Sequence, residues 1–304
     1  MIIVTLVATL ASAMVWQQWR SVQVESAERA RVQATWILTG ALDWARLILR
    51  EDKKSGKVTS LGSPWATPLA EARLSTFLAI DKNNADDGPE AFLSGGITDM
   101  QARYNLTNLI VQDKAAAALE VETLERLCQF VGIETGVAQR IANGLRDASA
   151  VGSSAGVIGA APLLPRTVDQ LSWLGIDAAS IQALRPFVVL LPTSIATPIN
   201  VNTAPSQVLA AAIKGLDTAT AERLVQMRQR EAFANTVAFL NQATTAQQPV
   251  TARLDVFSNY FEVRGRVRLG DRVLTERSLI QRQPDYQMLV LQRERIASVE
   301  EPGS

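Results

Sequence analysis

The sequence predicts an α+β fold: one long N-terminal helix, a helical middle region, and a C-terminal antiparallel hairpin. Three observations carry this. A helical apolar pattern runs from the N-terminus to about Arg50, a Gly-apolar-acidic decapeptide recurs three times in the middle, and apolar and polar residues alternate strictly across residues 261–269.

The helix comes first in the chain. Residues 1–15 are apolar or small Ser and Thr, and Trp16 and Trp19 follow where interfacial aromatics sit at a membrane surface. Ala11, Ser12 and Ala13 resemble a small-residue cleavage site, but the helical pattern continues past them, so the segment is read as an anchor rather than a signal peptide. Val15, Trp19, Val22, Leu38, Leu42 and Ala45 recur at spacings compatible with one helix face, and Glu25, Glu28, Arg29 and Arg31 lie between them. Residues 53–56 end the helix.

The body of 304 residues is 47% hydrophobic, enough to bury a core divided between two subdomains. Lys and Arg number 30 and Asp and Glu 30, so no net field draws the chain toward nucleic acid or an anionic bilayer. The absence of histidine removes the commonest general base, the usual metal ligand and every imidazole triad. Cys128, the one cysteine, lies in an apolar helical stretch and reads as a buried small hydrophobe.

After the helix, Pro64 and Pro68 punctuate a segment with a short helical run expected over residues 69–78. The acidic loop at residues 81–88 offers oxygen ligands, but its fifth position is Ala85 and no Glu stands at the twelfth, so it reads as a solvated turn rather than an EF-hand.

In the middle, Gly132-Ile133-Glu134, Gly175-Ile176-Asp177 and Gly215-Leu216-Asp217 each open a similar decapeptide, at a period of roughly 40 residues. Each copy reads as a helix ended by Gly, an apolar plug, a capping residue and a second helix. Helix-hairpin-helix modules of this outline bind phosphate through backbone amides. Here Glu134, Asp177 and Asp217 occupy the third position, where a carboxylate repels phosphate and caps the amides, so structural hairpins are favoured. Gly152, Ser153, Ser154, Ala155 and Gly156 spell G-x-S-x-G, but the stretch from residue 149 to 161 is a Gly, Ala and Ser linker, and no histidine exists to activate Ser154.

At the C-terminus, Phe261, Val263, Val267 and Leu269 alternate with Glu262, Arg264, Arg266 and Arg268, and Gly270 with Asp271 fits a tight turn into a returning strand over residues 273–282. The arginine row is read as a solvated strand face.

Specific residues then resemble the minor pseudopilin family called general secretion pathway protein K, of bacterial type II secretion. Trp65 and Ala66, Ile97-Thr98-Asp99, and Tyr104-Asn105-Leu106-Thr107-Asn108-Leu109 look like its first signature. Residues 198–204, Pro-Ile-Asn-Val-Asn-Thr-Ala, are similar to its second, and Ser258, Tyr260, Phe261, Ser278, Leu279 and Arg282 to its closing hairpin. The second signature alone is shared with helix-hairpin-helix competence proteins, so the alternative reading is an anchored or exported nucleic-acid binder, supported weakly by Arg223, Arg228 and Arg230.

The resemblance implies a pilin-like fold, a long helix packed on a small antiparallel sheet, with a helical insertion of two SAM-like subdomains. The boundaries expected are a transmembrane segment at 1–20, pilin-like residues 21–104, helical subdomains at 105–198 and 199–250, a β-hairpin at 251–285 and a polar tail at 286–304. It implies a protein without enzymatic activity, with no catalytic, cofactor-binding or metal-binding residues, no small-molecule substrate and no nucleic acid. It would assemble with two other minor pseudopilins at a pseudopilus tip, anchored once in the inner membrane with its bulk in the periplasm. The family's leader, a basic stretch ending in Gly, does not precede the apolar run, and Met1 is read as lying a few residues inside the mature helix. Family members commonly carry an acidic calcium loop after the first hairpin. Residues 144–161 offer only Asp147, so no calcium is expected there.

Overall fold

The computed structural model describes residues 1–74, 90–110, 114–151, 163–243, 253–270 and 272–296. Helix α1 (Ile2–Lys54) runs unbroken for 53 residues, about 80 Å at the usual rise per residue. Lys53 and Lys54 occupy its last turn, where cations suit the negative end of the helix dipole, and Gly56 follows at φ +67°. Ala34, Leu38, Leu42, Ala45 and Leu49 are buried, at spacings of four, four, three and four that keep them on one stripe.

The chain then forms β1 (Leu69–Arg73) and β2 (Ala91–Asp99). The helical run expected over residues 69–78 is corrected here: residues 69–73 are an edge strand, paired from Leu69 opposite Gly95 to Arg73 opposite Phe92. Leu, Ala, Glu and Arg are all good helix formers, and the open edge of β2 overrides that local preference. Residues 75–78 and the acidic loop at 81–88 lie outside the described residues.

The helical region opens at β3 (Tyr104–Asn105). It contains α2 (Lys114–Phe130), α3 (Gly136–Val151), a 3₁₀ segment (Val168–Leu174), α4 (Ala178–Leu184), β4 (Val188–Val189), β5 (Ile199–Asn200), α5 (Ser206–Ala212), α6 (Thr218–Arg230), α7 (Thr236–Ala243) and β6 (Leu254–Asp255). Short parallel pairs of β3 with β4 and β5 with β6 pin the chain where it enters and leaves. The apolar residues of both expected subdomains merge in one continuous core running from Tyr104 to Val256.

The repeat lies at three helix ends. Gly132, Gly175 and Gly215 adopt φ of +76°, +74° and +85°, a region costly for any side chain, and the plugs Ile176 and Leu216 are buried. The second copy differs in that its leading element is 3₁₀ rather than α-helical. Cys128 is fully buried, and burial followed by the nearby Glu125 pushes its thiol up to about 11. The Gly152–Gly156 stretch lies outside the described residues.

Strands β7 (Tyr260–Leu269), β8 (Arg272–Arg282) and β9 (Met288–Ile296) complete an antiparallel sheet of order β1-β2-β7-β8-β9. The hairpin closes with Leu269 opposite Arg272 and Gly270 at φ +58°. The polar tail expected from residue 286 is also corrected: Met288–Ile296 is a fifth strand. Its charged residues hid it, but Arg293 pairs with Glu276 and Glu294 with Arg277 across β8, while Met288 is buried.

Helix α1 lies on one face of this sheet. A Cβ on Gly265 would stand 2.9 Å from Leu38 Cδ2, so the glycine permits the close approach. Leu42, Ala45 and Leu49 pack with Trp65, Phe261, Val263, Ile280 and Met288.

Candidate assembly surface

Two features of the chain are candidates for function, an uncovered helix surface and a buried polar junction. The first is α1 itself. Residues 2–19 carry no charge, and their large apolar side chains are exposed around the whole helix, from Ile2 to Trp19. This is the one helix among the described residues long and apolar enough to cross a membrane. Trp16 and Trp19 stack at 5.3 Å beside Arg20, the first charged side chain.

Beyond the apolar segment, α1 has two faces. One is the stripe buried on the sheet. Opposite it, Val32, Trp36, Gly40, Trp44 and Leu47 follow at spacings of four, four, four and three, and all are exposed, Trp36 by 72%. Nothing lies within 4 Å of where a Gly40 Cβ would stand, so no contact within the chain requires glycine there. A mid-helix glycine costs about 1 kcal/mol relative to alanine. A glycine between two exposed tryptophans has the shape that lets a second helix approach closely.

The second feature is the junction where the helical region meets the sheet. Asp99, at the end of β2, is 2% exposed. Its Oδ2 accepts from Thr203 Oγ1 and Ser258 Oγ, both at 2.6 Å, and from Asn200 Nδ2 at 3.0 Å, and its Oδ1 accepts from the Gln101 N–H at 2.8 Å. Burial holds this carboxyl above the usual carboxylate range, and the four donors only partly offset it. Asn200 Nδ2 also donates to the Thr59 carbonyl at 3.0 Å. Arg282 Nη2 donates to Asp52 Oδ2 at 2.6 Å, with side chains 4% and 7% exposed, which ties β8 to the last turn of α1. Burial pushes the Arg282 guanidinium down, and Asp52 opposes that shift.

A second group of amides anchors the helical region internally. Asn105 Oδ1 accepts from the Leu191 N–H at 3.1 Å, and its Nδ2 donates to Thr197 Oγ1 at 2.8 Å. Asn108 brackets Thr197, accepting from its N–H at 3.0 Å and donating to its carbonyl at 3.1 Å. Asn202 does the same to Phe233, at 2.9 Å in both directions.

The hairpins offer little to phosphate. Asp177 and Asp217 accept from the N–H of Ser180 and Thr220 at 2.8 and 2.9 Å, so the amides that would bind an anion are occupied. Those bonds hold both carboxyls below their ordinary range. Of the arginines behind the alternative reading, Arg228 points inward and donates to the Val201 carbonyl at 2.7 Å, and burial lowers its guanidinium to about 10. Arg223 donates to the Gln242 carbonyl at 2.8 Å. They do not form a basic face.

Known proteins give a consistent picture. Two sequence profiles described as type II secretion system (T2SS), protein K match residues 102–193 and 199–261, together about half of the chain. The chain belongs to the type II secretion system protein K family. Type II secretion system protein K of Pseudomonas aeruginosa is 28% identical, covering 97% of this chain and 90% of that protein. The protein of the same name from Klebsiella pneumoniae is 29% identical, over 93% of this chain and 90% of that one. A chain of the solved GspK-GspI-GspJ complex from the enterotoxigenic Escherichia coli type 2 secretion system superimposes with a TM-score of 0.71 at 23% identity, covering 90% of this chain and 99% of that chain. The pilin-like fold with its helical insertion is therefore that of the family, whose members are minor pseudopilins.

The family's signature residues converge at the junction. Asp99, Asn200, Thr203, Ser258 and Arg282 come from segments up to 183 positions apart in the chain, and Asn105 and Asn108 brace the helical region beside them. Phe261 packs edge-on against Trp65 at 5.2 Å and carries Arg282 over its ring at 4.3 Å. Asp52, Thr59, the buried Glu120–Arg253 pair at 2.8 Å and the outward row of α1 escape sequence reasoning. For the outward row a signal existed, the four-residue spacing of Trp36, Gly40 and Trp44. Among the described residues no group of three potential metal ligands comes together.

Proposed function

We propose that this chain acts as a structural subunit, assembling with two other minor pseudopilins at the tip of a type II secretion pseudopilus to support export of folded proteins. Residues 1–20 anchor it once in the inner membrane, and the body stands in the periplasm. It makes and breaks no bond of its own. The observation that carries this reading is the row of exposed apolar side chains on the outward face of α1, Val32, Trp36, Trp44 and Leu47, far past the residues a bilayer would cover. Before assembly the apolar end rests in lipid. Afterwards the same helix packs against its neighbours, and the wide helical region limits addition above it. The GspK-GspI-GspJ complex of the Escherichia coli relative supports the choice of partners, and membership of a secretion family supports the absence of catalysis.

The test is the mass, by size-exclusion chromatography with light scattering, of the region from Val24 onward mixed with the two other minor pseudopilins of the same system. A stable complex with one copy of each is expected. Elution alone, with DNA binding that weakens steeply as salt rises, would contradict it in favour of the hairpin reading.

A further inference from the structure

The sheet has a second face, away from α1. Val263 and Phe261 pack toward α1, so Glu262 and Arg264 on β7, and Arg277 and Leu279 opposite them on β8, point the other way. Where the helical region leans over this face it leaves an open cleft of about 460 Å³, a size typical of ligand sites.

Five arginines line the cleft, Arg103, Arg166, Arg185, Arg264 and Arg277, against three acids, Asp169, Glu262 and Glu294. The acids are already used: Arg185 pairs with Asp169, and Arg277 pairs with Glu294 at 2.7 Å and Glu262 at 3.7 Å. Arg103, Arg166 and Arg264 have no carboxylate within ion-pair distance among the described residues. Arg103 and Arg166 come from the helical region and Arg264 from the sheet, so the three approach the cleft from both walls. Between them the floor of the cleft is lined by half-buried Leu279 and by the buried Met100, Val189 and Leu191.

A guanidinium fork matches a carboxylate bidentately, and clusters of such forks are a recurrent means of reading acidic peptide segments. Three unpaired forks around an apolar floor select carboxylates and an apolar side chain on one short segment. Nucleic acid suits the cleft poorly, because three carboxylates line it. We propose that this cleft binds a short acidic-apolar segment of a partner protein. It opens away from α1, so the site stays accessible whether or not the helix is packed, and it does not depend on the assembly reading.

The test uses the full chain in detergent and fluorescence anisotropy of a labelled Asp-Leu-Glu-Asp-Leu-Glu peptide. Binding is expected to weaken at least about tenfold in the R103Q/R166Q/R264Q triple variant and to fall with added salt. The Asn-Leu-Gln-Asn-Leu-Gln peptide should not bind. A circular-dichroism melt unchanged from wild type keeps the variant interpretable, since two of the three arginines are exposed and none holds an ion pair. The proposal is overturned if the acidic peptide does not bind the wild type, if the triple variant binds equally well, or if inorganic phosphate displaces the peptide at equal concentration.

Discussion

The buried junction and the outward face of α1 are built on opposite principles. At the junction, Asp99, Asn200, Thr203, Ser258 and the Asp52–Arg282 pair are out of water and bonded to one another. On the helix, Trp36 and Trp44 are exposed, and nothing stands within 4 Å of where a Gly40 Cβ would be. Apart from the buried Arg282 Nε, which has no hydrogen-bond partner among the described residues, the junction finds its partners within the chain, and the outward row does not. The difference teaches where to look for function in a minor pseudopilin: buried polar networks hold the insertion against the helix, and uncovered apolar surface marks what that packing presents.

The sharpest way to break the comparison is at the junction. Arg282→Ala strands Asp52 without its cation, and an uncompensated buried charge should cost about 3–5 kcal/mol. Urea denaturation of the soluble region would show it as a lower midpoint. A loss below about 1 kcal/mol would place the pair in water rather than in the protein.

Asp99 gives a pH signature. Its carboxyl titrates above its unfolded value, so the folded state binds a proton more readily than the unfolded one. Its contribution therefore improves as pH falls from 7 toward the ordinary carboxylate range. Relative to Asp99→Asn, the wild type should gain stability on that descent, read from parallel denaturation curves at each pH. A constant difference would mean that the carboxyl stays ionised throughout.

On the helix, Gly40→Ala should raise the stability of the free protein by about 0.5–1 kcal/mol, because nothing occupies the space. Gly40→Leu should leave the free protein folded and weaken its complex with the other minor pseudopilins. If both substitutions leave assembly untouched, the outward row is not the contact.

The smallest effects belong to the hairpins and to Cys128. Asp177→Ala or Asp217→Ala should lower the melting temperature by about 2–3 °C each, as expected for a lost helix cap, with no change in assembly. Cys128 should resist thiol reagents at pH 8 in the folded protein and react once denatured, since it is fully buried with a thiol raised to about 11.

Much of this architecture is legible in the sequence, and the exceptions have physical causes. The α1 stripe, the β7–β8 alternation and the three glycine-ended helices announce themselves because period and left-handed backbone depend on neighbouring residues only. β1 and β9 do not. Leu69–Arg73 prefers helix locally, and Met288–Ile296 reads as a polar tail because its charges are neutralised by β8, a partner no local pattern reveals. The junction was legible as signature residues without their geometry. Asp52 and Thr59 have no local signal, since each matters through partners 141 to 230 positions away.

The most direct measurement places a photo-crosslinking amino acid at Trp36, at Trp44 and, as a control, at Trp173 on the helical region, in cells producing the whole secretion system. Crosslinks from positions 36 and 44 to another minor pseudopilin, with none from 173, are the result predicted here. Crosslinks to pseudopilins from position 173 alone would contradict the account, because the uncovered face of α1 would then have no partner in the assembled tip.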